Sequence, residues 1–338
     1  MTDQTRGLRR RAVTTTLLAT PFILRGISAQ AASLIDRPAP LPTPVKLVVG
    51  AAKVAHLSPV AMIAGDLKAL GVEMEVVNFV RYADARTALA AGSLDIASVG
   101  PADVPIAMSQ GITNLVALMG VGSQPKYPVV RKGVTLDRWS DLEGKKIAVA
   151  SASAVWFQFV ASLQEHGVAY NKLQAVNIQG AGSNFDDALK RGEVDALITW
   201  EPFESVPLAE GYGTWATNLD YSKSKAVGAE LGMFAATESA VTAKREAVRR
   251  FIWAYVNAQN ALAASPEKFA EAIAAYTGIS MDISRRISVN TKLGAVLSLE
   301  QMQRQAKAFH ELGVITRDVS AELPAHFAGD LVDSVLKA

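Results

Sequence analysis

The same local pattern occurs twice in this chain, a hundred residues apart. ALAAGSLDI at residues 88–96 reads on into Gly100-Pro101-Ala102-Asp103, and ALKRGEVDA at residues 188–196 reads on into Trp200-Glu201-Pro202-Phe203. Each copy reads as the end of an apolar-faced helix, a glycine free to take the left-handed conformation just past it, a short apolar strand and a proline-bearing turn. A single copy is common in α/β proteins. Two copies predict two similar α/β lobes in one chain, with a cleft between them where a small molecule would sit. The competing explanation is a generic helix stop that recurs by chance.

The N-terminus bears on where the chain works. Arg6, Arg9, Arg10 and Arg11 precede an uncharged run at residues 12–24, and Ala29-Gln30-Ala31 offers a small-residue cleavage site. The run is too short and threonine-rich to span a bilayer, so residues 1–31 are expected to be a cleaved export signal. The Arg10-Arg11 pair resembles a twin-arginine signal, with a general secretory route still open. This segment holds five arginines and one acid. Without it the chain has 29 basic and 31 acidic residues, and its net charge moves from +2 to −2. The basic balance of the whole chain therefore belongs to the export segment and gives no reason to expect a nucleic-acid partner.

The sequence contains no cysteine, which excludes disulfides, zinc–thiolate sites, a cysteine nucleophile and a lipidated cysteine. An exported chain with no lipid anchor is expected in a periplasm. Roughly 300 remaining residues, at 50% hydrophobic composition, suffice for two cores.

Arg37-Pro38-Ala39-Pro40-Leu41-Pro42-Thr43-Pro44 reads as an extended, mobile tether within residues 32–44. Strands are predicted at 46–49, 73–79, 95–99 and 115–121, with helices opened by Ser58-Pro59 and at 84–91 and 102–110. A second lobe then begins around 127–130. It carries strands at 147–150, 175–178 and 195–199 and helices at 153–166 and 184–191. Residues 231–236 read as a strand returning to the first lobe. Residues 244–264 form an apolar-faced helix through Val248, Phe251, Ile252, Tyr255 and Val256. The division is 45–125 with 228–338 as lobe 1 and 126–227 as lobe 2. The two crossings make a hinge able to close on a ligand.

Three blocks in this order resemble a known family: LAAGSLDIASVGPADVPIAMSQG, WSDLEGKKIAVASASAVWFQFVASLQEHGV and ALKRGEVDALITWEPF. The middle block follows a D-L-K-G-K-K-[IV]-A-V pattern, with Glu143 at its third position. Over residues 45–315 the chain resembles the type II periplasmic solute-binding proteins of ABC importers, in the group for nitrate, sulfonates, taurine and thiamine-pyrimidine precursors. The resemblance implies an α/β, two-lobed fold with the second lobe inserted into the first and a helical C-terminal region. It also implies a monomer that delivers a small molecule to a permease and ATPase at the inner membrane. Relatives often have Gly-Ser-Ser/Thr, a small residue and His or Tyr where this chain has Ala152-Ser153-Ala154-Val155-Trp156. That departure disfavours a small tetrahedral oxyanion and favours a ligand with an apolar or aromatic body.

In open α/β lobes, ligands sit beyond the carboxyl ends of the strands near helix N-termini. Loops 50–57, 100–103, 151–155 and 200–202 are therefore expected at the cleft. Ser151, Ser153 and the amides that open their helix suit an anion, although Ser153 is equally suited to cap that helix. Glu201 can accept a hydrogen bond from a ligand amine, amide or ring N–H, or simply sit at the next helix N-terminus. Trp200 and Trp156 offer flat walls, and Lys53 and His56 offer cationic or hydrogen-bonding side chains. Arg81, Gly100 and Tyr82 are further cleft candidates, with Gln124 and Tyr127 near the hinge and Asp103 read as a helix cap.

No catalytic residue, metal site or cofactor is expected. His56, His166, His310 and His326 have no metal-binding spacing, and no Gly-x-Ser-x-Gly or phosphate-loop pattern occurs. An extracytoplasmic solute-binding subunit for an aliphatic sulfonate or taurine-like molecule is the leading expectation. An aromatic sulfonate, a carboxylate or an N-heterocycle comes next. A thiamine-pyrimidine-synthase-like enzyme on the same fold and a sensory solute receptor are the alternatives.

Overall fold

The computed structural model describes residues 36–336; the expected export signal lies outside the described residues. Two five-stranded sheets organise the chain. The first contains β1 (Val45–Ala52), β2 (Val72–Phe79), β3 (Ile96–Val99) and β4 (Leu115–Gly120). The second contains β5 (Val129–Arg131), β6 (Lys146–Val149), β7 (Gln174–Asn177), β8 (Ala196–Leu197) and β9 (Gly213–Trp215). The chain then returns to the first sheet as β10 (Met233–Thr237).

The orders are β2-β1-β3-β10-β4 and β7-β6-β8-β5-β9. In each sheet three parallel strands are followed by an antiparallel strand, β10 or β5. That strand is the one that enters each sheet from the other half of the chain. The topology is the same twice, as the repeated pattern predicts.

The repeat itself does structural work. Gly92 and Gly192 sit at φ +75° and +71°, and Ser93 N and Glu193 N donate to the Ala88 and Ala188 carbonyls at 3.1 and 3.0 Å. Asp95 then locks β3 to β1: its amide donates to Val48 O (2.8 Å) and its Oδ2 accepts from Val48 N (2.9 Å). Asp195 does the same to Lys146, at 2.7 and 3.0 Å. Each carboxylate also meets a cation, Lys244 for Asp95 and Arg131 of the antiparallel β5 for Asp195. The aspartate of each copy is thus a sheet staple, and neither lines the cavity described below.

Helices cover the sheets. They are α1 (Ala64–Ala69), α2 (Tyr82–Ala90), α3 (Asp103–Ser109), α4 (Ala154–Glu165), α5 (Ser183–Lys190) and α6 (Ser205–Ala209). The C-terminal set is α7 (Glu238–Ala243), α8 (Arg245–Ala263), α9 (Pro266–Thr277), α10 (Met281–Asn290), α11 (Leu299–Glu311) and α12 (Gly329–Leu336). The apolar stripe of α8, including Val248, Phe251 and Tyr255, is buried against Phe234 of β10 and Leu118 of β4. The α4 helix begins as its sequence asks: Ser153 Oγ accepts from Trp156 N at 3.3 Å and satisfies one orphan amide of the first turn.

Two expectations change and one strand is new. Ser58-Pro59 does not open a helix; Pro59 lies inside a buried 3₁₀ segment, Ala55–Met62, and α1 follows it. The strand β9 has only three residues, too few to leave a periodic signal. The tether 37–44 was expected to be mobile, yet it is held on the first half. Arg250 donates to Ala39 O through Nε and Nη2 (3.0 and 2.6 Å), and Leu41 N donates to Leu70 O (2.9 Å).

The two crossings run beside one another, Gln124 N donating to Ala229 O and Leu231 N to Gly122 O. A third segment joins them: Ser123 and Lys292 exchange backbone hydrogen bonds at 2.8 Å each. Gly120 and Gly122 are required there, since a Cβ would come within 2.3 Å of Val296 O and 2.5 Å of Lys292 O. The connection between the two halves is therefore three-stranded, and its third strand comes from the C-terminal helical region.

Candidate functional site

Between the sheets lies a cavity of about 250 Å³. Its walls follow the carboxyl ends of the parallel strands: Ala52 at the end of β1 and His56 beyond it, Arg81 and Tyr82 after β2, and Asp103 after β3. From the second sheet come Ala150 to Val155 after β6 and Thr199 to Glu201 after β8. A twisted parallel sheet leaves its ligand crevice at such strand ends.

The wall built by residues 150–155 is the N-terminus of α4. Ala152 adopts φ +64°, a left-handed conformation that costs a residue with a Cβ about 1–2 kcal/mol. A glycine in this turn would avoid that cost. Ser151 N donates to Asn177 Oδ1 at 3.0 Å, which ties the turn to the end of β7. The first-turn amides and the helix dipole make this wall attractive to an anion.

Opposite, His56 is buried and its Nε2 shares a 2.5 Å hydrogen bond with the Tyr82 hydroxyl. Burial and the nearby Lys126 push its pKa down to about 3, so the imidazole is neutral. His56 therefore contributes hydrogen bonding to the cavity and no positive charge. Arg86 is held by Asp103 at 2.5 Å, and Asp103 also accepts from Gly100 N at 2.6 Å. Arg81 pairs with Asp84 at 3.1 Å.

At the hinge, Lys126 Nζ donates to Gln158 Oε1 and to Glu230 O, both at 2.6 Å. Burial lowers its pKa to about 7, against the pull of Glu230, Glu204 and Asp220. Glu201 accepts from Ser205 Oγ (2.8 Å) and Ser205 N (3.1 Å), so it caps α6 from inside the cavity wall. Burial pushes its carboxyl up to about 7. Glu204, equally buried, accepts from Gln124 Nε2 at 3.0 Å, and burial and Glu201 raise it as well. Thr199 is buried in this wall and its hydroxyl has no partner among the described residues, which leaves it available to an occupant.

Of the residues singled out from sequence, His56, Arg81, Tyr82, Asp103, Gln124, Ser151, Ser153, Trp200 and Glu201 line this cavity, and Lys53, Gly100, Tyr127 and Trp156 do not. Lys53 turns outward onto the Tyr276 ring, its Nζ 4.2 Å from the centroid. The Trp156 indole donates to the Tyr170 hydroxyl at 2.9 Å and packs on Phe157. Gly100 is a contact across the cleft: a Cβ there would lie 2.5 Å from the Cβ of Ala154. Lys126, Gln158, Thr199 and Glu204 were missed. Two carried a signal, Gln158 as the one polar residue in the run VWFQFVA and Glu204 as the second acid of E-x-x-E.

Two α/β sheets of matching topology, joined by two crossings around a cleft, define a type II periplasmic-binding-protein fold. Residues 60–269 match the family described as NMT1/THI5 like, and the chain belongs to that family. The taurine-binding periplasmic protein of Escherichia coli (strain K12) is 31% identical over 117 residues, 34% of this chain and 35% of that protein. The match thus spans about a third of that relative's length. The alkanesulfonate-binding protein SsuA from Xanthomonas axonopodis pv. citri, bound to MOPS, has a TM-score of 0.72 at 19% identity and covers 85% of this chain and 99% of its own. The nitrate-binding protein NrtA from Synechocystis PCC 6803 has a TM-score of 0.72 at 13% identity, over 89% and 90%. These two likenesses concern the fold.

Proposed function

We propose that the chain is the solute-binding subunit of an ABC importer. Its halves, residues 45–125 with 228–338 and residues 126–227, close on a small anionic or zwitterionic organic molecule, which the subunit then hands to a membrane permease. An aliphatic sulfonate or taurine-like molecule is the first candidate; an aromatic sulfonate, a carboxylate or an N-heterocycle follows. The observation that carries this reading is the cavity itself, closed by the α4 N-terminus on one side and by His56 and Tyr82 on the other. The names of the taurine- and alkanesulfonate-binding relatives support the same ligand class. Export through residues 1–31, a periplasmic location and a monomeric state belong to this proposal.

Binding without catalysis fits the side chains. The His56 hydrogen bond goes to Tyr82, and the Ser153 hydroxyl accepts from a backbone amide. Neither arrangement generates a nucleophile.

The test is a thermal-shift panel on residues 32–338 with nitrate, sulfate, taurine, alkyl and aromatic sulfonates, aromatic carboxylates and thiamine pyrimidines. A ligand at about 100 times its Kd adds about 2.7 kcal/mol to stability. A rise in midpoint confined to organic sulfonates supports the reading. A response to none of the anionic or zwitterionic compounds refutes it.

A further inference from the structure

Behind the wall formed by Glu201 and Glu204 lies a second cavity of about 180 Å³. Gln124, Glu201 and Glu204 line both cavities, so the two buried acids form their common boundary. On the far side the second cavity is lined by Tyr127 and Trp215, whose rings lie 5.7 Å apart at 46°. The Trp215 Nε1 is buried with no hydrogen-bond partner among the described residues and, being a donor, would be met by an acceptor; what this chamber offers a cation is its ring faces.

The charges around this boundary do not balance within the cavities. Arg86 is engaged by Asp103 and Arg81 by Asp84. Lys126 is held by Gln158 and the Glu230 carbonyl. Glu230 and Asp220 draw on that one buried ammonium as well as Glu204, and Arg286 acts on the buried Glu201 only from the exposed side of α10. Two adjacent buried carboxylates are unfavourable as a pair of anions unless a cation joins them. Aromatic faces beside carboxylates are the surroundings in which an organic cation is held best.

We propose that this boundary is a cation subsite. The ligand carries an ammonium, alkylammonium or guanidinium group that lies against Glu201 and Glu204. Its substituents enter the second chamber against Tyr127 and Trp215, while its anionic head faces the α4 N-terminus. The inference rests on the reading of the first cavity as the ligand site and narrows the ligand to a zwitterion. Burial already raises both carboxyl groups, and a cation arriving between them would restore their charge.

Isothermal titration with four probes tests this: propanesulfonate, its terminal amino and terminal trimethylammonio derivatives, and propyltrimethylammonium without a sulfonate. The two zwitterions are expected to bind about tenfold or more tighter than propanesulfonate, the equivalent of one desolvated cation contact. Glu204→Gln is expected to erase that preference, so that all three sulfonates bind alike. Tyr127→Leu, which leaves the buried acids intact, reduces the preference for the trimethylammonio form and keeps the inference testable should Glu204→Gln fail to fold. Propanesulfonate binding as tightly as both zwitterions overturns the cation subsite while the sulfonate reading stands. Binding of propyltrimethylammonium alone supports the subsite and removes the sulfonate head. Binding of none overturns both.

Discussion

Gly100 offers a direct test of closure. It opens the turn after β3 in the first half, and α4 of the second half approaches it so closely that a Cβ would lie 2.5 Å from the Ala154 Cβ. Carbon atoms prefer about 3.5–4.0 Å, so Gly100→Ala must push the rims of the cleft apart by about 1 Å. Overpacking of this kind costs about 1–3 kcal/mol. If the contact forms only when the cleft is closed, the cost falls on the liganded state, and affinity for the tightest sulfonate of the panel drops between about 5- and 150-fold. The added methyl also meets Asp103 Oδ2 at 3.1 Å, a local strain present in both states. Adding Ala154→Gly distinguishes the two: relief across the cleft restores most of the affinity, whereas local strain does not respond. Titration calorimetry on the two single variants and the double variant closes the cycle. Wild-type affinity in Gly100→Ala, or no recovery in the double variant, would refute the argument.

Further outcomes follow from the same geometry. Asp95→Ala and Asp195→Ala each remove a staple between neighbouring strands and should cost about 1–3 kcal/mol in urea unfolding while leaving ligand affinity unchanged. Ser153→Ala should cost about 1 kcal/mol through loss of the α4 cap and also weaken anion binding; a melt identical to wild type would remove the cap. Glu201 is pushed up from 4.5 to about 7, so the folded state holds its proton more tightly than the unfolded chain does. The stability this contributes is present below about pH 4.5 and lost as pH rises to about 7, a change of about 3 kcal/mol at most. Asp186, pushed up to about 8 by burial, adds a loss of the same sign. Glu201→Gln should therefore flatten, without abolishing, the fall in stability across that range; an unchanged pH profile would place Glu201 in water.

The framework was legible wherever the relevant bonds join residues close in sequence. Gly92, Gly192, Asp95 and Asp195 sit in local helix-stop turns, and loops 151–155 and 200–202 follow their own strands directly. Lys126, Gln158 and Glu204 were not legible as a group, because only the hinge brings residues 124–126, the α4 face and residues 201–204 together. Trp156 was misplaced through helix phase. At about 100° per residue, Ala154, Val155 and Gln158 share the cavity-facing side of α4, and Trp156 turns toward Tyr170. Lys53 follows the last residue of β1, where one step of alternation decides between the cavity and the Tyr276 ring.

On the function proposed here, one cavity between two matched halves takes one small organic anion or zwitterion. Competitive isothermal titration of residues 32–338 with taurine and a short alkanesulfonate tests it most directly. One site per chain, with each compound displacing the other, is the predicted result. Independent binding of the two, or no binding by either, would contradict it.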